Sequence, residues 1–184
     1  MKIKESELTT YLFECAVPGG LPDTLWRAQF TSAGLRSLSI SGDRVLNSTD
    51  SEELAAAKAS AKNENRVKQL RALIVARMAG QNVNMDWPEF DLRGRGEFHV
   101  RVWKAMHAVP FGETRTYGEI ADEAGSPLAF RACGQACGAN PILLFIPCHR
   151  VLAQNGPGGF GGGLKLKERL LAAEGVTLIK KRED

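Results

Sequence analysis

The sequence predicts an α+β protein in two parts, a small antiparallel sheet with a covering helix followed by a mainly helical half. Three observations lead there. Between Thr9 and Ile40, β-forming runs alternate with turn signals. From about Arg66, apolar residues recur at helical spacing. The second half breaks into short helical segments separated by Gly and Pro.

The runs TTYLFECAV, TLWRAQFTS and LRSLSIS are divided by PGGLPD and SAG and closed by SGD, the mark of an antiparallel meander. Thr49 with Glu52, or Asp50 with Glu53, makes a capping-box pattern ahead of SEELAAAKASAK, an Ala-rich stretch of high helix propensity. Asn63, Glu64 and Asn65 interrupt it. A second helix, from about Arg66 to Met78, sets Val67, Leu70, Ile74 and Met78 on one stripe and stops at Gly80. That stripe is expected to cover one face of the sheet. QNVNMDWPEFDLRGR, aperiodic and containing Pro88, reads as a linker. The boundary is placed near Leu92, giving an N-terminal domain of residues 1–91 and a C-terminal domain of residues 92–184.

In the second half, FHVRVWKAMHAV puts Phe98, Val102, Ala105, Met106 and Val109 at helical spacing, and PFG closes it. TYGEIADEAG forms a short helix ended by Gly125, SP makes a turn, and LAFRACGQACGAN forms another. Two short helices joined by a tight turn suggest a helix-turn-helix. The apolar run ILLFIP follows as a strand, then CHRV, the Gly-rich loop GPGGFGGG and a final helix from about Leu164 to Ala173.

Composition bounds what such a protein does. Hydrophobic residues at 43% and charged residues at 24% are globular averages, which excludes a disordered, collagenous or coiled-coil chain. A chain of 184 residues buries roughly 70% of its unfolded surface, so neither disulfides nor a structural metal is needed. No apolar run approaches the ~20 residues that span a bilayer. MKIKESELTT is charged where a signal peptide is apolar, so a soluble cytoplasmic protein with no membrane partner is expected. The net charge of +3 arises entirely after Phe90, where thirteen Lys and Arg face ten Asp and Glu; eleven face eleven before it. This mild excess is compatible with a polyanionic partner. Cys15, Cys133, Cys137 and Cys148 lack the pairing of a disulfide framework and read as free thiols in a reducing compartment. Cys133 and Cys137, at i and i+4 with no His on their helix, read as small core residues.

Pro147-Cys148-His149-Arg150 sets a thiol beside an imidazole and a guanidinium. Neighbouring positive charge lowers a thiol's pKa from about 8.5, which would make Cys148 a nucleophile with thiolate character at neutral pH. Adjacent side chains of a strand point to opposite faces, so His149 serves as its base only through a bend or a bridging water. The same cysteine also reads as a small buried residue at a strand end.

IPCHRV, preceded by TYGEIA and RACGQACGANP and followed by the Gly-rich loop and LKERLLAAEG, resembles the O6-alkylguanine-DNA alkyltransferases, or methylated-DNA:protein-cysteine methyltransferases, from Phe98 to Gly175. The resemblance implies an N-terminal ribonuclease H-like domain and a C-terminal winged-helix-like DNA-binding domain. It implies a suicidal, single-turnover transfer of an alkyl group from O6 of guanine, or from O4 of thymine, in duplex DNA to Cys148. In the family's Cys-water-His-Glu relay, His149 and Glu174 would activate the thiol. Tyr117 would donate its proton to N3 of the base, and Asn140 would tie the second short helix to the strand carrying the cysteine. Arg131 matches the finger that enters the stack vacated by the flipped nucleotide. Its helix, slim at Ala132 and Gly134, would lie in the minor groove. Phe160, Gly161, Val151 and Lys167 match the substrate pocket, with the Gly161 amide directed at O6. Arg150 matches either a phosphate contact or a buried pair. From the residues alone, Tyr117 also reads as a core aromatic, and Glu174 and Lys167 as solvated charges. No cofactor is implied, and no zinc, because the half in which some relatives bind it here holds Cys15 and no His. A monomer is expected. Phe160 replaces a common Tyr, and Phe130 takes a place often held by a smaller residue.

Overall fold

Three antiparallel strands, β1 (Thr9–Val17), β2 (Leu21–Thr31) and β3 (Gly34–Ser41), pair in the order β1-β2-β3. The computed structural model describes residues 3–17, 21–41 and 61–178. Period-2 alternation on β2 buries Trp26, Ala28 and Phe30, and the register sets them beside Phe13 and Tyr11 of β1 and Leu38 and Leu35 of β3. Helix α1 (Ala61–Met78) packs against β1 and buries Leu70, Ile74 and Met78 of its predicted stripe. Val67 stays half-buried. Asn63–Asn65 do not interrupt this helix. Asn and Glu cost at most ~0.7 kcal/mol each against Ala, far below Gly or Pro, and a formed helix propagates through them. The Thr49 and Asp50 capping patterns, and the Ala-rich stretch up to residue 60, lie outside the described residues.

The segment read as a linker is bonded to the sheet. The Asp91 amide donates to the Leu35 carbonyl at 2.9 Å. The buried Asp91 carboxylate accepts from Thr31 Oγ1 at 2.6 Å and, in fork geometry, from Arg93 Nε and Nη2 at 2.8 Å. Those bonds, the Arg93 pair foremost, hold the carboxyl well below the usual range. A Cβ on Gly34 would collide with the Glu89 carbonyl oxygen, so the close approach of this segment requires glycine. Pro141–Leu143 also joins β3, with Leu38 N–H donating to Pro141 O and Leu143 N–H to Leu38 O. The chain thus divides into two compact units, Met1–Gly94 with Pro141–Leu143, and Arg95–Asn140 with Leu144–Asp184.

The second unit contains α2 (Glu97–Ala108), β4 (Arg115–Thr116), α3 (Tyr117–Glu123), α4 (Phe130–Gly138), β5 (Val151–Leu152) and α5 (Leu164–Ala173). Helix α2 buries Val102, Ala105 and Met106 as its spacing predicts, while Phe98 is only half-buried. Trp103, absent from that stripe, is also buried, and its indole N–H donates to the Ala136 carbonyl at 2.8 Å. This ties α2 to α4 through an aromatic whose polar end is satisfied. Thr116 and Glu119 form a reciprocal capping box that starts α3. Gly125, at φ +68, ends it.

The run after Asn140 is a chain of turns rather than the expected strand, with Leu144 at φ +72. A short, wholly apolar run has no period to separate strand from buried loop. Past Leu143, where the bonds to β3 end, side chains satisfy the backbone: His107 Nδ1 donates to Phe145 O at 2.8 Å, and Asn140 Nδ2 to Ile146 O at 2.7 Å. Among the described residues, no helix is long and apolar enough to cross a membrane.

Candidate active site

Cys148 opens a 3-10 turn, Cys148–Arg150, that leads directly into β5, so it does not sit at a strand end. All three turn residues are buried. Asn140, just past the end of α4, donates from one amide nitrogen to Ile146 O at 2.7 Å and to Cys148 Sγ at 3.1 Å. His149 Nε2 lies 2.9 Å from Glu174 Oε1. A carboxylate only accepts, so Nε2 carries the proton and Nδ1 is the basic nitrogen. Glu174, first past the end of α5, also receives Arg150: Nε donates to Oε2 at 2.8 Å and Nη2 to Oε1 at 3.0 Å. Arg150 Nη1 donates to Val109 O at 2.6 Å, and its guanidinium carbon lies 5.7 Å from the Phe111 ring centre. Burial alone would raise the Glu174 carboxyl, but the hydrogen bonds from His149 and Arg150 overcome it and hold the group at about 2.

A cavity of about 170 Å³ opens on the thiol, lined by Tyr117, Gly134, Cys137, Gly138, Cys148, Gly159, Phe160 and Gly161. The parallel pairing of β4 with β5 brings its parts together, because Tyr117 is the residue after β4 and Cys148 stands just before β5. Gly159 lines the same cavity as the Tyr117 ring. Gly158, at φ +70, makes room for that ring, since a Cβ there would lie 2.9 Å from the Tyr117 oxygen and 3.1 Å from Ala153 N. Gly158→Ala is therefore expected to displace Tyr117 and slow the chemistry roughly tenfold or more, because misplacement of about 1 Å has that scale of effect. Rates of the site's reaction, checked against an unchanged melting temperature, measure it. The Phe160 ring packs edge-on to His149, with centroids 6.3 Å apart.

The stretch 97–176 matches the family model described as 6-O-methylguanine DNA methyltransferase, DNA binding domain. The crystal structure of Mycobacterium tuberculosis O6-methylguanine methyltransferase aligns over 91% of this chain and 92% of that one, with 34% identity and a TM-score of 0.63. The chain belongs to the methylated-DNA–protein-cysteine methyltransferase family. Another family structure, Mycobacterium tuberculosis OGT in complex with DNA, is 34% identical, with a TM-score of 0.64 over 90% of this chain and 91% of that one. A curated family relative from Mycolicibacterium paratuberculosis is 52% identical over 100 residues, 54% of this chain and 59% of its own length.

In this family member, burial pushes the Cys148 thiol up, and the Asn140 hydrogen bond and Lys167 charge offset this only in part. The expected thiolate character at neutral pH is corrected: Arg150, one of the cations read as lowering the thiol, is bound to Glu174 instead. Cys148 is a thiol at rest. Cys137, exposed to the same cavity, is likewise held protonated, by its bond to Cys133 and by burial, and it donates to Met106 Sδ at 3.5 Å. Burial also raises the Tyr117 hydroxyl, with Gly159 N–H opposing, so it keeps its proton. Lys167 is lowered to about 8, chiefly by burial.

Of the residues singled out by the family resemblance, Cys148, Tyr117, Phe160, Gly161 and Gly134 line one cavity, and Asn140 touches the sulfur. His149 and Glu174 form a buried pair. Three expectations are corrected. Arg150 is buried and bound to Glu174 and Val109, so of its two readings the buried pair holds and the phosphate contact does not. Val151 is buried and absent from the cavity lining, its carbonyl accepting from Lys167 Nζ at 2.6 Å. Lys167 is buried too and does not line the cavity; it links Val151 O to Gly159 O, at 3.2 Å. Arg131 is exposed and Ala132 half-buried. The sequence reading missed Cys137, Gly138 and Gly159 as lining residues. Gly134, Cys137 and Gly138 follow one another at i, i+3 and i+4, so the face bearing Gly134 was the available signal.

Proposed function

We propose that this protein repairs DNA by direct reversal, moving an alkyl group from O6 of guanine in duplex DNA irreversibly to Cys148, once per molecule. The single observation behind this reading is the Cys148 thiol in the wall of a cavity of about 170 Å³, followed in the chain by His149, which is paired with Glu174. His149 takes the thiol proton through a water while Glu174 steadies the imidazolium. The sulfur attacks the alkyl carbon, an S–C bond forms and the C–O bond breaks, and its electron pair passes to the guanine. Tyr117 gives its proton to N3 as that charge builds. In the net reaction the thiol proton replaces the alkyl group on the base.

The Gly161 amide faces O6, and Asn140 fixes the sulfur. Lys167 braces the Gly159 wall against Val151 and so acts as a positioning residue. The nucleotide reaches the cavity by flipping, with Arg131 filling its place in the stack and α4, slim at Ala132 and Gly134, in the minor groove. Binding is indifferent to sequence and weakens with salt. In this reading residues 92–184 form a winged-helix-like DNA-binding and transfer domain with a helix-turn-helix, and residues 1–91 a ribonuclease H-like domain that gives structural support. The protein works as a cytoplasmic monomer on alkylated duplex DNA, without cofactor.

Intact-protein mass after incubation with a duplex carrying one O6-methylguanine tests this. The expected result is a gain of one methylene mass, once per molecule and absent in Cys148→Ala. A shift of the DNA in a binding assay with no mass gain would overturn transfer in favour of damage sensing.

A further inference from the structure

The turn between α3 and α4 and the first residue of α4 carry two large apolar side chains in the open. Leu128 is 90% exposed and Phe130 51% exposed, and Arg131 follows directly. Leu128 also holds φ +72, a region bulky L residues rarely adopt. Strain of this kind persists where the resulting geometry is used. The Arg131 guanidinium lies 5.8 Å from the Phe130 ring centre, so the cation and the aromatic project as one group. Together they make an apolar edge with a positive charge at its rim.

We propose that Leu128 and Phe130 form an apolar wedge that enters the minor groove of duplex DNA beside Arg131 and unstacks the base step from which the target nucleotide is flipped. This rests on the DNA-binding reading above. Duplex DNA fits the patch better than a protein partner for two reasons. A single aromatic offers about 150–250 Å² of contact area, whereas a standard protein interface takes ~800 Å² from each partner. The adjoining Arg131 suits a polyanion, and Phe and Leu are the side chains that minor-groove binders insert between bases. The wedge separates the stacked bases, and Arg131 then occupies the gap.

The test uses full-length Cys148→Ala, in which flipping proceeds without transfer, and a duplex with 2-aminopurine next to one O6-methylguanine. At saturating protein, 2-aminopurine fluorescence is expected to rise. The Leu128→Ala/Phe130→Ala double variant is expected to lower the unstacked fraction roughly tenfold. Phe130→Leu, which keeps an apolar side chain, is expected to retain most of the rise. Leu128→Gly suits the backbone and separates loss of the side chain from misfolding, with thermal melting as the check on all variants. A lesion opposite an abasic site, already unstacked, is expected to respond alike in all of them. An unchanged rise in the double variant overturns the wedge, as does a parent protein that saturates the DNA without any rise. Sedimentation showing a dimer that the double variant abolishes would also overturn it and assign the patch to a second copy. If wild type gains no mass yet the rise still depends on Leu128 and Phe130, transfer fails and the wedge stands.

Discussion

Glu174→Ala is expected to lose transfer and stability together. The substitution strands the buried Arg150 guanidinium, leaving it the Val109 carbonyl and the Phe111 ring but no counter-charge. Removing one partner of a buried pair costs about 3–5 kcal/mol. That is a large share of the roughly 5–15 kcal/mol that holds a domain folded. It also removes the acceptor for the His149 Nε2 proton, so the imidazole no longer presents a fixed basic nitrogen, and the single-turnover rate is expected to fall on the order of 10²-fold or more. Glu174→Gln, which keeps an acceptor but not the charge, falls between. The carboxyl titrates at about 2 in the folded protein against an ordinary 4.5. Because the folded value is depressed, the contribution is complete above about 4.5 and is lost as pH falls towards 2. Urea midpoints of wild type and Glu174→Ala should therefore differ widely near neutrality and converge in acid. An equal gap at both pH values would show that the ion pair is not what the substitution removes.

Tyr117→Phe is expected to leave the fold and DNA affinity nearly intact while slowing transfer on the order of 10²–10⁴-fold, the range general acids supply. The phenyl ring of the variant fills the same place in the cavity wall. The chemical loss is larger because the guanine leaves with negative charge and the hydroxyl is the described proton donor lining the cavity. The same substitution should barely affect a lesion whose leaving base is already electron-poor. A rate within about threefold of wild type on O6-methylguanine would remove Tyr117 from the chemistry and leave it a packing role.

Segments with a strong period were legible from the sequence. Turn residues every few positions defined the meander of β1 to β3, and the spacing of Val102, Ala105 and Met106 located α2. Where period was lacking, prediction failed. The run from Ile142 to Ile146 is apolar throughout, so a strand and a buried turn read alike, and the hydrogen bonds that hold it come from His107, distant in the chain, and from Asn140, whose side-chain direction the sequence does not show. The site followed the same logic. Motif order singled out Cys148 and Tyr117, which line one cavity, and His149 and Glu174, which form a buried pair, but motif order carries no direction. Arg150 turns inward to Glu174, and Lys167 reaches two backbone carbonyls, because each loses its water and must find a partner inside. The resemblance left Arg150 open between a phosphate contact and a buried pair and set Lys167 in the pocket, and neither reading carried the direction of the side chain. Cys137 was read as a small core residue, although its place three residues after Gly134 puts it on the helix face that borders the cavity.

The resting state of Cys148 bears on how long a single-use protein stays usable. Peroxides and stray electrophiles in a cell consume cysteines as thiolates, in proportion to their ionisation and accessibility. A sulfur 7% exposed, raised by its surroundings and facing only a narrow cavity is poor prey for them. Under the proposed function, leaving the thiol protonated until a base takes its proton keeps reactivity latent until a planar ligand fills the cavity. Selectivity over time and selectivity among reagents then come from one arrangement: the molecule can wait unspent, and its one irreversible event is reserved for a target that fits.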